Sequence, residues 1–365
     1  MKNKILIHAP NLSTPGGKQT YFASLLDHFT SDIDFFFYGA QGKKEGKFRV
    51  ITRLFSDFWK FHQKLRKNKY DLVHLNPSMN MKSFFRDSIF ALICRLTGTK
   101  MTIFWHGWQW EFEKKITQRI LPYFSGTFGK ADSMIVLGKE FADQLKSYGY
   151  KNPVLPITTV ADPIFFKLKN KFDNPDTEKI SKNEVTLLFL SRIERVKGVY
   201  EALDSFETLQ QSYTNIKLKI AGTGGELAAA KAYINKRGIK NIELLGWITG
   251  EGKAQAFYES DIYLLPSYHG EGLPCSILEA MASGLPVIST NVGGIKDFFE
   301  DGKMGYLVPM KDPKKITEKL TLLLDNTDDI KTMGQYNISY AHNRFTPEKV
   351  SYELEKIYSK SISHY

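Results

Sequence analysis

The sequence predicts an α/β fold made of two doubly wound parallel-sheet domains. Three observations carry that reading. Short apolar runs rich in Val, Ile, Leu and Phe alternate with longer helical patterns along all 365 residues, the signature of βαβ units. Twelve such runs are too many for one comfortable sheet. A polar, charged stretch, KLKNKFDNPDTEKISKN at 167–183, interrupts them near the middle and precedes the strongest strand candidate.

In order, Lys4–Ala9 opens the first sheet, and Gly16-Gly17 turns the chain into a helix over Gln19–Phe29. Asp34–Tyr38, Leu72–Leu75, Met101–Trp105, Ser133–Leu137 and Val154–Ile157 extend that sheet, with helical patterns at Phe55–Lys69 and Met81–Leu96. The second sheet is expected from Val185–Leu190, Lys217–Ala221, Ile242–Leu245, Ile262–Leu265, Pro286–Ser289 and Gly305–Val308. Three helices without intervening strands then form a terminal extension, Pro313–Leu324, Ile330–His342 and Pro347–Ser361. The resulting plan is a first domain at 1–166, a linker at 167–183, a second domain at 184–345, and a C-terminal helix at 346–365 packing back on the first domain.

Composition narrows the function classes. With 42% hydrophobic, 24% charged and 13% aromatic residues, wholesale disorder is excluded. No apolar run nears the roughly 18–20 residues that span a bilayer, since the longest, Ile89–Cys94, meets Arg95. The basic start at Lys2 and Lys4 is followed by an apolar stretch that stops at His8 and Pro10, too short for a secretory signal. Cys94 and Cys275 form neither a disulfide framework nor a metal cluster, and a cytoplasmic protein is expected. The net charge of +11 is uneven: residues 1–170 carry 26 Lys and Arg against 13 Asp and Glu, and residues 171–365 carry 24 against 26. A basic first half points to an anionic partner or to a solubility feature.

The chemistry-bearing residues follow strands, where such sheets bind ligands. Gly16-Gly17 lets a backbone approach a phosphate before a helix, or simply makes a turn. His106 ends the strand before Gly107. Arg192 and Lys197, just after Val185–Leu190, can offer a planar fork and a compact charge to one diphosphate; Arg192 is expected at the end of a buried strand, needing an anionic partner. The loop Gly270–Glu279 is the sharpest signal. Amides of Gly272, Leu273, Cys275, Ser276 and Ile277 around Pro274 open a helix toward a diphosphate, with Glu271 and Glu279 as carboxylates for sugar and ribose hydroxyls. Ser276 and Glu279 also fit a capping box, which leaves Glu271 unexplained. Gly222-Thr-Gly224-Gly225 hints at a dinucleotide site, but the next strand ends in Leu245-Gly246-Trp247 rather than an acidic residue.

The stretch HGEGLPCSILEAMASGLPVISTNVGGIKDFFEDGKMGYLVP resembles the Glu-x7-Glu region of the retaining glycosyltransferases of family 4, the glycosyl transferases group 1. PGGKQTYFASLLDHF, DLVHLN with TIFWHG, LFLSRIERVKG, and IAGTGGE with LLGWIT are similar to further parts of that family, so the resemblance covers most of the chain. It implies a GT-B fold of two Rossmann-like domains, the second holding a nucleoside-diphosphate sugar and the first an acceptor. It assigns Arg192 and Lys197 to the diphosphate, Glu271 to the donor sugar, Glu279 to the ribose, Trp247 and Ile248 to the base, Gly16-Gly17 to the phosphates, and His106 to the reacting sugar. Glu271, His106, Arg192 and Lys197 are the expected catalytic set. Leu155–Pro163 lacks the family's usual Pro-Asn-Gly turn.

The expected activity is retaining transfer of a hexose from a nucleoside-diphosphate sugar, UDP by preference, to a glycan or lipid-linked acceptor, in polysaccharide or glycoconjugate synthesis. Neither a cofactor nor a metal is expected, because Arg192, Lys197 and the helix start take the leaving-group charge. A non-catalytic sugar-nucleotide-binding subunit and an NAD-dependent oxidoreductase are the alternatives. Nucleic acid is not expected as a partner. Trp59, Lys60, Lys64, Arg66 and Lys67 are expected to form a membrane or acceptor surface, placing the protein on the inner face of the cell membrane.

Overall fold

The structure is a computed structural model describing residues 2–14, 16–40, 46–167, 184–268 and 272–363. The chain forms two compact units, Met1–Thr159 with Pro347–Tyr365, and Val160–Thr346. Each of the twelve apolar runs becomes a strand, with ends moved by no more than two residues.

In the first unit, β1 (Lys4–Pro10), β2 (Asp32–Tyr38), β3 (Leu72–Leu75), β4 (Met101–Trp105), β5 (Ser133–Val136) and β6 (Val154–Pro156) form one parallel sheet ordered β2-β1-β3-β4-β5-β6. Every residue of β3, β4 and β5 is buried. Helices cover both faces, so these strands read as continuous apolar runs rather than alternating ones. On one face Val73, Leu75, Ile103 and Trp105 pack with Phe61 and Leu65 of the helix Lys47–Lys67 and with Phe84 and Phe90 of the helix Met81–Thr97. The alternate strand residues turn to the other face. There the helices Gly17–Leu25 and Pro347–Ser363 meet, burying Tyr21, Phe22, Leu354 and Tyr358. The Tyr358 hydroxyl lies 2.5 Å from Nδ1 of His74 in β3.

In the second unit, β7 (Val185–Leu190), β8 (Ile216–Ala221), β9 (Ile242–Gly246), β10 (Ile262–Leu265), β11 (Val287–Thr290) and β12 (Gly305–Val308) form a parallel sheet ordered β12-β11-β10-β7-β8-β9. The chain runs outward from β7 to β9, then restarts on the other side of β7 with β10. Loops leaving β7 and β10 therefore diverge, and the crevice between them is where this architecture takes ligands.

The expected plan needs correction at one boundary. The first domain ends at Thr159 rather than 166, because Val160, Ala161 and Phe165 are buried in the second unit, where Phe165 meets Phe257 edge-on at 5.2 Å. The stretch 168–183 of the expected linker lies outside the described residues. Of the three terminal helices only Pro347–Ser363 joins the first unit; Pro313–Asp325 packs on Val199–Leu209 and Thr327–Arg344 on Cys275–Ala282, both in the second.

Candidate active site

Arg192 and Lys197 lie in the loop after β7, and Gly272–Glu279 in the loop and helix after β10, so adjacent parallel strands bring them to one crevice. Backbone bonds knit the loops together. The Tyr268 amide donates to Val196 O at 2.9 Å, and the Gly294 amide, in the turn after β11, donates to Gly272 O at 2.7 Å. Gly198 has φ +81, and a Cβ there would stand 2.3 Å from Pro266 O, so only glycine lets the two loops approach this closely. Gly222 and Gly224 have the same role against Ser191 O and Ile193 O, which accounts for the Gly-Thr-Gly-Gly sequence by packing rather than by a dinucleotide.

Lys197 is buried. Arg192 is not: its side chain is 58% exposed and donates to Glu194 at 2.6 Å. The expectation of a buried arginine fails because β7 already ends at Leu190, two residues earlier. An exposed pair of this kind contributes little stability, so the guanidinium can exchange Glu194 for a stronger anion at small cost.

The helix Cys275–Ala282 has Pro274 as its N-cap, without a side-chain capping bond, so Ser276 and Glu279 do not form a capping box. The Ile277 amide donates to Pro274 O at 3.1 Å and is not open to a ligand; Leu273, Cys275 and Ser276 carry the amides at the helix start. Glu279 is buried and accepts from Lys253 Nζ at 2.7 Å, and the same ammonium reaches Asp162 at 3.4 Å. Burial raises the Glu279 carboxyl above its usual range, with Lys253 pulling it back. Burial opposes the charge of Lys253, but Glu279 and then Asp162 outweigh it and raise its pKa. Lys253 belongs to the helix Gly250–Tyr258, which follows β9 and the exposed Trp247 and half-buried Ile248. The ion pair thus ties the expected base-contacting turn to the expected ribose carboxylate. Neither Lys253 nor Asp162 stands in a recognisable motif; the available signal was a helical glutamate that burial leaves in need of a cation. Glu271 lies outside the described residues.

The first unit builds a second cluster at its own switch point, between β1 and β3. Gly16 and Gly17 are exposed there, and Lys18 donates to Asn76 O at 2.5 Å. Asn76, just after β3, donates from Nδ2 to His8 O at 2.9 Å, which turns its Oδ1 toward His106 Nε2 at 2.8 Å. That contact fixes the proton on Nε2 and leaves Nδ1 as the lone-pair atom. Burial, then Lys18 and His74, push the His106 pKa well below its usual value, so the ring is neutral. Burial, with repulsion from Arg86 against partial support from Asp87, lowers Lys18 to about 8. Sequence alone singled out His106 but not Lys18 or Asn76, although both lie inside quoted motifs.

Of the expected surface residues, Trp59, Lys60, Arg66 and Lys67 are exposed. Lys64 is not among them, since it turns to Asp34 at 2.9 Å. Asp34 belongs to Asp32-Ile33-Asp34, an acid pair of the spacing that can hold a metal, but the pair lies inside β2 and Asp34 is occupied by Lys64 and by Tyr70 at 2.5 Å. Among the described residues no group of three potential ligands could hold a metal ion.

Comparison with known proteins bears on the family and the fold. Residues 170–340 match the family model described as glycosyl transferases group 1. The chain is 23% identical over 316 residues to an uncharacterized glycosyltransferase of Methanocaldococcus jannaschii, covering 84% of this chain and 79% of that one. It is 31% identical over 144 residues to a phosphatidyl-myo-inositol mannosyltransferase of Mycobacterium leprae, covering 39% of this chain and only 37% of the relative. The crystal structure of Anabaena HepE in complex with UDP superposes with a TM-score of 0.76 at 16% identity, covering 99% of this chain and 100% of that one. Residues 170–340, just under half of the chain, are thus similar to the glycosyl transferases group 1, and the two parallel-sheet units carry the GT-B fold.

Proposed function

We propose that the protein transfers a hexose from a nucleoside-diphosphate sugar, UDP by preference, to a glycan or lipid-linked acceptor with retention of configuration. The observation that carries this reading is the convergence of Arg192, Lys197 and the helix start at Cys275 on the switch point between β7 and β10. Two cations and a positive helix end are matched to a diphosphate, whose negative charge grows as the sugar departs; stabilisation that strengthens in the transition state accelerates the step. Glu279, oriented by Lys253, holds the ribose hydroxyls, and the turn at Trp247 and Ile248 meets the base. Glu271 contacts the donor sugar. In the reaction the acceptor oxygen bonds to the anomeric carbon on the face the diphosphate leaves, the bond from that carbon to the diphosphate breaks, and a diphosphate oxygen takes the acceptor proton. No protein nucleophile, cofactor or metal is part of this scheme.

The UDP bound by the HepE relative supports the choice of nucleotide. The test is a thermal-shift titration with UDP and UDP-sugars, followed by donor turnover with excess chelator. UDP raises the melting temperature of the native protein; Lys197→Ala and Arg192→Ala weaken that shift, and Glu271→Ala leaves UDP binding but lowers turnover at least about 100-fold. Full activity in both Lys197→Ala and Glu271→Ala refutes the assignment. Binding without turnover in the unaltered protein identifies a non-catalytic subunit instead.

A further inference from the structure

We propose that the outward faces of the helices Lys47–Lys67 and Met81–Thr97 together form a docking surface for an anionic lipid bilayer. Among the described residues, nine of the eighteen exposed large hydrophobic side chains lie on these two helices. Phe48, Ile51, Phe55 and Trp59 follow helical spacing along the first, and Trp59 is 63% exposed. Met81, Phe85, Ile89, Leu92 and Leu96 do so along the second, ending with Leu96 at 76% exposed. Other stripes of the same helices, with Phe61 and Leu65 on one and Phe84 and Phe90 on the other, already hold the sheet. The apolar surface of each helix is therefore wider than the stripe the sheet covers, and a helix that only covers a sheet needs no more than that stripe. Both inner stripes enter the same core cluster on one face of the sheet, so the outer stripes lie on the same side of the unit.

Charge selects the occupant. The two helices contain ten Lys and Arg and two carboxylates. Asp57 is buried beside Arg53 at 3.3 Å, and Asp87 is buried beside Arg86 at 2.6 Å. What faces outward is Arg49, Lys60, Arg66, Lys67, Lys82 and Arg95 around the apolar stripes, with no carboxylate from either helix. A second copy of this surface would set like charges against each other. Nucleic acid has no use for exposed Ile, Leu and Met. A bilayer with anionic head groups satisfies both components: the stripes enter the acyl boundary while long cationic side chains reach back to the phosphates. The first helix, about 31 Å long at 1.5 Å per residue, lies along the surface rather than across it. Docking brings the first unit to a lipid-linked acceptor, and only that consequence rests on the proposed transfer reaction.

The experiment is co-sedimentation of the full chain with vesicles of phosphatidylcholine alone or mixed with phosphatidylglycerol, without donor or acceptor. The protein is expected on the anionic vesicles, with binding that weakens as salt rises. Phe55→Ser with Trp59→Ser lowers partitioning at least about tenfold, and Lys60→Glu with Arg66→Glu and Lys67→Glu lowers it about fivefold or more per charge. Both variants keep the melting temperature and UDP shift of the parent. No vesicle binding, or binding undiminished in both variants, overturns the proposal; so does a dimer that Trp59→Ser breaks in the absence of lipid binding. Vesicle binding by a protein that fails to bind UDP leaves docking intact and removes the transferase reading, and the converse result does the opposite.

Discussion

Lys253 shows what a single side chain can decide in the second unit. It neutralises a buried glutamate that no capping bond supports. Lys253→Met leaves Glu279 uncompensated and is expected to cost about 3–5 kcal/mol in urea unfolding of that unit, whereas adding Glu279→Gln recovers much of the loss. A Lys253→Met protein as stable as the parent would show that the pair has no such role. Lys18 offers a test in the other unit. Its folded pKa, about 8, lies below the ordinary lysine value of 10.5. Between those values the unfolded chain binds more protons, so the stability contribution of this group rises with pH across that window. Lys18→Met removes the rise, and comparing denaturation curves at pH 7 and pH 10 checks it. Such residues were hidden in the sequence because their importance is relational. Lys253 is one lysine among many until the fold sets it against Glu279, and Asn76 is an ordinary strand-end residue until His106 meets it.

At the scale of elements, the strands were legible because helices cover both sheet faces, so β10 appears as an unbroken apolar run and β3 and β4 as runs interrupted only by His74 and Thr102. Their loops were legible for a related reason: glycines such as Gly198 mark places where backbones nearly touch. Helix boundaries were less so. The capping-box reading of Ser276 and Glu279 followed a valid local pattern, yet Pro274 sets the start of that helix and tertiary pairing takes the glutamate. The arginine at 192 was placed two residues too close to the sheet, which exchanged a buried charge for an exposed one. The helix Pro347–Ser363 supplies an element-scale prediction. Tyr358 is fully buried with its hydroxyl on His74, and Tyr358→Ala is expected to cost about 3–5 kcal/mol. Tyr358→Phe keeps the packing and loses about 1 kcal/mol. Equal stability of the two variants by chemical denaturation would contradict this account.

At the scale of the whole molecule, the two-sheet plan and the charge imbalance are both legible in the amino-acid sequence, because both are sums over many residues. The division between units is legible only to within several residues. The polar stretch at 167–183 draws the boundary toward itself, although Val160 and Phe165 are already committed to the second core. Nor does composition say which lysines face outward; Lys64 is half-buried and paired with Asp34. The return of Pro347–Ser363 to the first unit has a consequence for biosynthesis. The first 159 residues leave the ribosome early, yet the cover for one face of their sheet is translated only after the whole second unit. On a chain growing from its N-terminus, the second unit has all its residues available before the first does. The nascent protein carries an uncovered part of that sheet face, at His74 and Phe104, until the helix Pro347–Ser363 emerges.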